Sequence, residues 1–282
     1  MKRNIFFATA LALCMGMSFT SCLDSDTDTD TQGVGGFVKV TSSYMGLGAF
    51  KHHDGTATIN PSAASLNNLE QNGFKMSEVN AAYIQGTYSK EANPDVETTR
   101  TYNNVNLTYT VSLDAPVEIV SQAGAPNDSI NMACIHDINN TNRGTNYFAN
   151  DYNEPWFYSD ETTLVLPISY GMSGQKLHAF TLVYNTSESE QDETTLKLSL
   201  RHYNGNDSSS QADSYSLAIN YPYLYFFAFD LRNAIYMWQG ITGSSDGPKT
   251  ITIEYVASEY NTNIEQGETK TMTIERKALG QE

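Results

Sequence analysis

Five histidines are the residues best equipped for acid–base or metal chemistry, and their spacing suits neither. His52 and His53 are adjacent. Neighbouring residues of a strand point to opposite faces, so the pair cannot chelate one ion without a distortion. His136, next to Asp137, and His178 offer no His-x-His or His-x-x-x-His spacing for zinc. Asp24, Asp26 and Asp28 mimic the start of a calcium loop, but Thr29 and Gly35 stand where that loop needs Gly and Glu. Ser173 lies between Gly171 and Gly174 without the Gly-x-Ser-x-Gly spacing of a nucleophile elbow. Glu188, Glu190, Asp192 and Glu193 form an acidic run on a loop, with no sign of two carboxylates facing each other across a bond. Cys134 sits in the apolar run Met132-Ala133-Cys134-Ile135 and reads as a buried small apolar residue. The expectation is a chain with no catalytic residue, no metal and no cofactor.

Aromatic residues supply the binding candidates. Trp156 and Tyr158 flank Phe157 in an irregular, polar stretch, and Trp238 follows the Phe229-Asp230-Leu231 element. Exposed aromatic faces stack on sugar rings, which makes Trp156, Tyr158 and Trp238 candidate ligand-binding residues. Aromatics also dominate β cores, and the run Tyr221–Phe229 is assigned there.

The first thirty residues carry an address. Lys2 and Arg3 precede an apolar stretch from Ile5 to Met17, and small residues lead to Ser21 and Cys22. That is the layout of a secretory signal. The apolar stretch falls short of the ~20 residues that span a bilayer. Phe19-Thr20-Ser21-Cys22 resembles the bacterial lipobox, in which Cys22 becomes the lipidated N-terminus and residues 1–21 are removed. Cys14 is the poorer site, because Leu13 precedes it. Asp24, Asp26, Asp28 and Asp30 alternate with Ser and Thr in an acidic tether over 22–36. An acidic run directly behind a lipidated cysteine resembles the surface-export signal of Bacteroidetes lipoproteins, which favours the outer face of the outer membrane over its periplasmic face.

Net charge is −16, and loss of Lys2 and Arg3 with the leader takes it to −18. Such a chain repels phosphate backbones, so nucleic acid is not an expected partner. After processing, Cys134 is the one thiol left besides Cys22, and no intramolecular disulfide is expected. No segment beyond residue 22 is long and apolar enough to cross a membrane.

Tyr, Thr, Ser and Asn are abundant and helix-favouring runs are scarce, which favours strands and polar turns. Gly36–Thr41 alternates apolar and polar residues, and Asp54-Gly55 joins two strands in a hairpin. Ser65–Gly73 reads as a short helical turn, and Val79–Gln85 and Val105–Leu113 as strands. Pro116 and Ser121–Asp128 read as a hinge or long turn. Further strands are expected at Thr163–Tyr170, where Pro167 suggests an edge or bulge, and at Lys176–Tyr184, Thr194–His202, Lys249–Val256 and Thr269–Glu275. One-sided sheets must bury their apolar faces against each other, so the fold class is all-β.

With that layout the chain resembles the NigD-like lipoproteins of Bacteroidetes. The residues that carry the likeness are Phe50, Lys51, His52, His53, Asp54, Gly55 and Thr56, with Pro61 beyond. In the second half they are Leu196 to Arg201-His202 before the turn Asn204-Gly205-Asn206-Asp207, then Phe229-Asp230-Leu231 and Pro248-Lys249 to Tyr255. His53 stands where the family has an acidic residue. The resemblance implies a small OB-like N-terminal barrel over 37–120 and a C-terminal antiparallel β-sandwich over 130–278. It implies an outer-membrane lipoprotein with an interaction or accessory role and no catalytic residue; the alternative, carried by Trp156 and Trp238, is a surface glycan-binding lipoprotein, so the expected partner is a protein or a glycan.

Overall fold

The computed structural model describes residues 30–42, 48–121, 131–138, 152, 154–171, 178–187, 192–205, 207, 226–258 and 263–276. Contacts divide the chain into two units, between Ser112 and Leu113.

The first unit is a closed five-stranded barrel. Its strands are β1 (Thr31–Ser42), β2 (Gly48–His52), β3 (Thr58–Pro61), β4 (Ala81–Ser89) and β5 (Thr101–Ser112), in the order β1-β2-β3-β5-β4. β3 and β5 run parallel and the other pairs antiparallel. Closure depends on β1 serving two partners: Thr31–Lys39 pairs with β4, and Val38–Ser42 pairs with β2. Two glycines let β1 approach β4. A Cβ on Gly35 would lie 2.4 Å from the Ile84 carbonyl oxygen, and Gly36 has φ 131°. The tether expected over 22–36 is thus corrected, since β1 begins at Thr31.

Helix α1 (Ala63–Gln71) lies between β3 and β4 in the sequence, and a second, one-turn helix α2 (Val96–Thr99) precedes β5. Ser62 caps α1 by accepting a bond from the Ser65 amide. Buried Ser65 in turn accepts from the Leu107 amide at 2.9 Å, tying the helix to β5. Val34, Val38, Phe50, Ile59, Ala82, Ile84 and Val105 fill the barrel.

The second unit holds two sheets. β7 (Val117–Val120), β10 (Ala179–Asn185), β11 (Thr195–Tyr203), β13 (Thr250–Ala257) and β14 (Glu268–Glu275) form one, in the order β14-β13-β11-β10-β7. β6 (Asp114–Ala115), β8 (Trp156–Phe157), β9 (Thr163–Pro167) and β12 (Phe226–Asp230) form the other, in the order β6-β12-β9-β8. A third helix, α3 (Arg232–Thr242), follows β12 directly.

One core joins these elements. Leu164 and Leu166 of β9, Leu182 of β10, Leu196, Leu198 and Leu200 of β11, Ile251 and Ile253 of β13, and Trp238 of α3 are all buried in it. The fold is therefore all-β, a barrel followed by a sandwich-like unit. The sandwich is mixed rather than purely antiparallel, because β7–β10, β11–β13 and β6–β12 run parallel.

Three local expectations change. Residues 113–120, assigned to the barrel domain, pair within the second unit instead, and Pro116 marks the switch from one sheet to the other. Pro167 takes the last position of β9, an inner strand of its sheet, yet it pairs only with Phe226 of β12, because the pairing with β8 stops at Val165. Trp156 and Phe157 form a short strand, so this stretch is ordered by pairing with β9.

Candidate functional site

β11 alternates strictly, with Leu196, Leu198, Leu200 and His202 inward and Lys197, Ser199, Arg201 and Tyr203 outward or half-buried. His202 is therefore the last member of an apolar row, which explains its 2 % exposure. β10 pairs antiparallel with β11, with Phe180 opposite His202. His178 lies two residues before Phe180 and so falls on the same side, beyond the end of β11. There the turn after Asn204 brings in Asp207, whose amide donates to the Asn204 carbonyl at 3.0 Å. Asn204 Nδ2 returns a bond to the Asp207 carbonyl at 3.2 Å.

The result is a buried chain of polar contacts. His202 Nδ1 meets the Ala133 carbonyl at 3.2 Å, His202 Nε2 meets His178 Nδ1 at 2.9 Å, and His178 Nε2 meets Asp207 Oδ2 at 3.2 Å. A carbonyl only accepts, so His202 Nδ1 carries a proton. Nε2 of a neutral His202 must then accept from His178 Nδ1–H. His178 Nε2 is left facing a carboxyl oxygen, and a bond there needs one more proton, held by the imidazole or by Asp207. Burial pushes the His202 pKa down, and the neighbouring His178 adds to the shift. Burial also lowers His178, against the pull of Asp207. Phe180 stacks on His202 with ring centroids 4.4 Å apart, and Tyr170 packs edge-on against it. The spacing of the two histidines in sequence hides this cluster, because strand register rather than a local motif assembles it.

The barrel holds a second histidine pair. His52 ends β2 and His53 enters the hairpin turn, which brings their ring centroids to 4.4 Å. The expectation that the two point to opposite faces is corrected: the strand stops between them, so the alternation does not apply. His52 Nδ1 contacts Asp54 Oδ1 at 2.7 Å. Asp54 Oδ1 also accepts from the amide and the hydroxyl of Thr56. Burial works against the Asp54 carboxylate, but the Thr56 and His52 bonds outweigh it and hold its pKa at about 2. Burial, then His52, push His53 down to about 4. Among the described residues no group of three His, Cys, Asp or Glu could hold a metal ion.

The aromatic candidates divide. Trp238 is fully buried, and its Nε1 donates to the carbonyls of Asp192 and Thr195, both at 3.1 Å. It fastens α3 to the start of β11 and has no free face for a sugar. Tyr158 is 1 % exposed, and burial raises its pKa far above the usual phenol value. Neither residue is available as a stacking platform. Trp156 is half-buried, edge-on to Tyr152 and Phe226 at 5.1 and 5.5 Å, so it packs within this unit. Phe226 and Phe229 lie in the core as expected. Cys134 is buried, its Sγ 3.1 Å from the Asn263 carbonyl, and burial raises its pKa, which makes it a poor nucleophile. Asp137 anchors a turn, accepting from the Ile138 amide and from the Tyr255 hydroxyl, each at 2.8 Å. Cys22, Ser173, Glu188, Glu190 and the Asp24–Asp28 run lie outside the described residues.

One exposed feature escaped the sequence reading. Of the exposed large hydrophobics among the described residues, Ile119, Tyr203, Tyr236, Met237 and Ile241, three lie within six positions of α3. With Gln239, Gly240 and Ser244 they line a shallow hollow. No helix among the described residues is long and apolar enough to cross a membrane.

No family model matches the chain and no curated protein is similar to it. Solved structures are. A Bacteroides fragilis protein described as a candidate lipoprotein is 22 % identical, with a TM-score of 0.61 over 88 % of this chain and 99 % of that one. A NigD-like immunity protein from Bacteroides caccae is 13 % identical, with a TM-score of 0.45 over 86 % of this chain and 91 % of that one. A Bacteroides vulgatus protein of unknown function is 11 % identical, with a TM-score of 0.47 over 88 % and 93 %. The likeness to the Bacteroides fragilis chain is one of fold.

Proposed function

We propose that this chain is a lipid-anchored envelope protein of the NigD-like type, held at the outer membrane through Cys22 and acting by binding rather than by chemistry. The observation that carries this reading is the leader: a basic start, a short apolar stretch, small residues and then a cysteine followed by acidic residues. The fold shared with a Bacteroides fragilis chain described as a candidate lipoprotein supports it. A binding role is favoured because the acid–base groups that do come together are spent internally. Both ring nitrogens of His178 and of His202 have partners within the fold. The glycan alternative lost Trp238 and Tyr158 to the core, and nothing else favours it.

The test is expression in a Bacteroides host with labelled fatty acid. Label on the wild-type chain, its absence from Cys22→Ser, and removal of the wild-type protein from intact cells by added protease are the expected results. An unlabelled mature chain with a free amino terminus overturns the anchored reading.

A further inference from the structure

We infer that Asn72-Gly73, at the end of α1, is a site of spontaneous covalent modification, where the asparagine is converted to aspartate and isoaspartate. This goes beyond the binding role proposed above and does not rest on the lipid anchor.

The chain has two Asn-Gly steps, Asn72-Gly73 and Asn204-Gly205. The reaction favours glycine in second place, because a side chain there obstructs the approach of the backbone nitrogen. Gly73 N gives its proton to hydroxide and attacks Asn72 Cγ. An N–Cγ bond forms, the Cγ–Nδ2 bond breaks, and the side-chain nitrogen leaves as ammonia with a proton taken from water. Water then opens the cyclic imide at one of its two carbonyls. Opening at Cγ gives aspartate. Opening at the main-chain carbonyl gives isoaspartate, with the chain routed through the side chain. The sum is amide plus water to carboxylate plus ammonium.

The fold sets the two steps apart. Asn72 is the last residue of α1, with φ −86° and ψ 6°, and both it and Gly73 are exposed. The Asn72 side chain makes no hydrogen bond among the described residues. A Cβ on Gly73 would meet nothing within 4 Å, so the space around this step is open. Two amides hold the turn: Gly73 donates to the Glu70 carbonyl at 3.0 Å and Phe74 to the Leu69 carbonyl at 2.9 Å. The Asn72 ψ must rotate before Gly73 N reaches Cγ, which opens these bonds. They lie at a helix terminus, where opening costs least.

Asn204 is half-buried, and its Nδ2 donates to the Asp207 carbonyl. The Asp207 amide donates back to the Asn204 carbonyl, and Asp207 Oδ2 meets buried His178. Rotation at Asn204 would undo all three contacts, so this step opens far less often.

The product matters to α1. No basic residue stands in its last turn, so a carboxylate at 72 meets the negative end of the helix dipole uncompensated. Isoaspartate also adds a methylene to the main chain between Leu69 and Phe74, which both pack against the barrel core. The two closing bonds then lose their register, and Phe74 loses its seat.

The test follows the mature chain at mildly alkaline pH, with digestion in acid. Peptides are read by mass and by labelling with an isoaspartyl methyltransferase. The Asn72 peptide should gain the mass difference between oxygen and NH, at a rate that rises with pH. It should convert at least about tenfold faster than the Asn204 peptide. In concentrated urea the two should convert at similar rates. Asn72→Gln keeps an amide but lengthens the side chain, and should stop the modification. The isoaspartyl chain, separated by ion exchange, should exchange its Gly73 and Phe74 amide hydrogens faster than the unmodified one. An Asn72 peptide unchanged in the folded chain, after the chain in urea has converted, overturns the proposal. Equal rates at Asn72 and Asn204 in the folded chain overturn the control by the fold. Unaltered exchange at Gly73 and Phe74 overturns the effect on α1.

Discussion

Each unit of this protein holds two histidines and one aspartate in contact, and the two clusters differ in how they are made. In the barrel, His52, His53 and Asp54 are consecutive, and a hairpin turn gathers them. The His52 and Asp54 side chains remain 24 % and 43 % exposed. In the sandwich, His178, His202 and Asp207 come from two strands and a turn, and the His178 and Asp207 side chains are only 2 % and 5 % exposed. The same residue types thus make a wet turn in one place and a dry, register-dependent chain of hydrogen bonds in the other. Burial rather than composition decides what the groups are worth: solvent screens the first set, and the second must satisfy every nitrogen from within.

The largest effects therefore belong to the sandwich. Asp207→Ala leaves His178 Nε2 buried without its partner and should cost about 3 kcal/mol in denaturant melts. Asp207→Asn should cost far less, because an amide N–H can donate to a neutral His178 and supply the bond that otherwise needs an extra proton. Equal losses for the two variants would show that no such proton is held. His202→Ala should be as damaging as Asp207→Ala, since it removes the bond to Ala133 and the ring stacked on Phe180.

How much of this could be read beforehand follows from the same distinction. The hairpin at Asp54-Gly55 and the strand over Thr194–His202 are local patterns, and both stand in the structure as read. The pairing of His178 with Asp207, 29 positions apart, depends on the β10–β11 register and has no local signature. β6 and β8 are two residues long and exist only because longer strands pair with them. Helix α3 was legible and missed. Leu231, Ala234, Ile235 and Trp238 recur at helical spacing and Gly243 closes the helix at φ 72°, but the aromatic residues before it suggested strand. Missing the helix turned Trp238, its main anchor, into a supposed ligand platform.

The pH response should separate the clusters by a smaller margin. His53, His178 and His202 all have folded-state pKa values below the ordinary 6.5, so the unfolded chain binds more protons as the solution is acidified. Stability contributed by the neutral His53 and His202 rings is complete above pH 6.5 and falls below it. For His53 the loss should end near pH 4. For the more deeply buried His202, held at about 3, it should continue to lower pH. Thermal melts from pH 7 to 4 should show a falling midpoint, and Asp207→Asn should leave the barrel's share of that slope unchanged. A midpoint that rises on acidification would contradict both assignments.

The smallest expected effect tests the barrel cluster itself. Asp54→Ala removes two bonds to Thr56 and the contact with His52, all at a turn open to solvent. Such a side chain competes with water for its partners, so the loss should be about 1 kcal/mol or less. Its pH signature is the sharper measurement. The wild-type carboxylate titrates at about 2 in the folded state and near 3.8 when free, so its contribution is full above pH 3.8 and disappears as pH falls to 2. Asp54 also raises the pKa of His53, against burial and His52, so in Asp54→Ala the His53 midpoint should move below its value of about 4 in an NMR titration. An upward shift would mean that the turn had opened and rehydrated the ring, making Asp54 a structural latch rather than a screened surface charge.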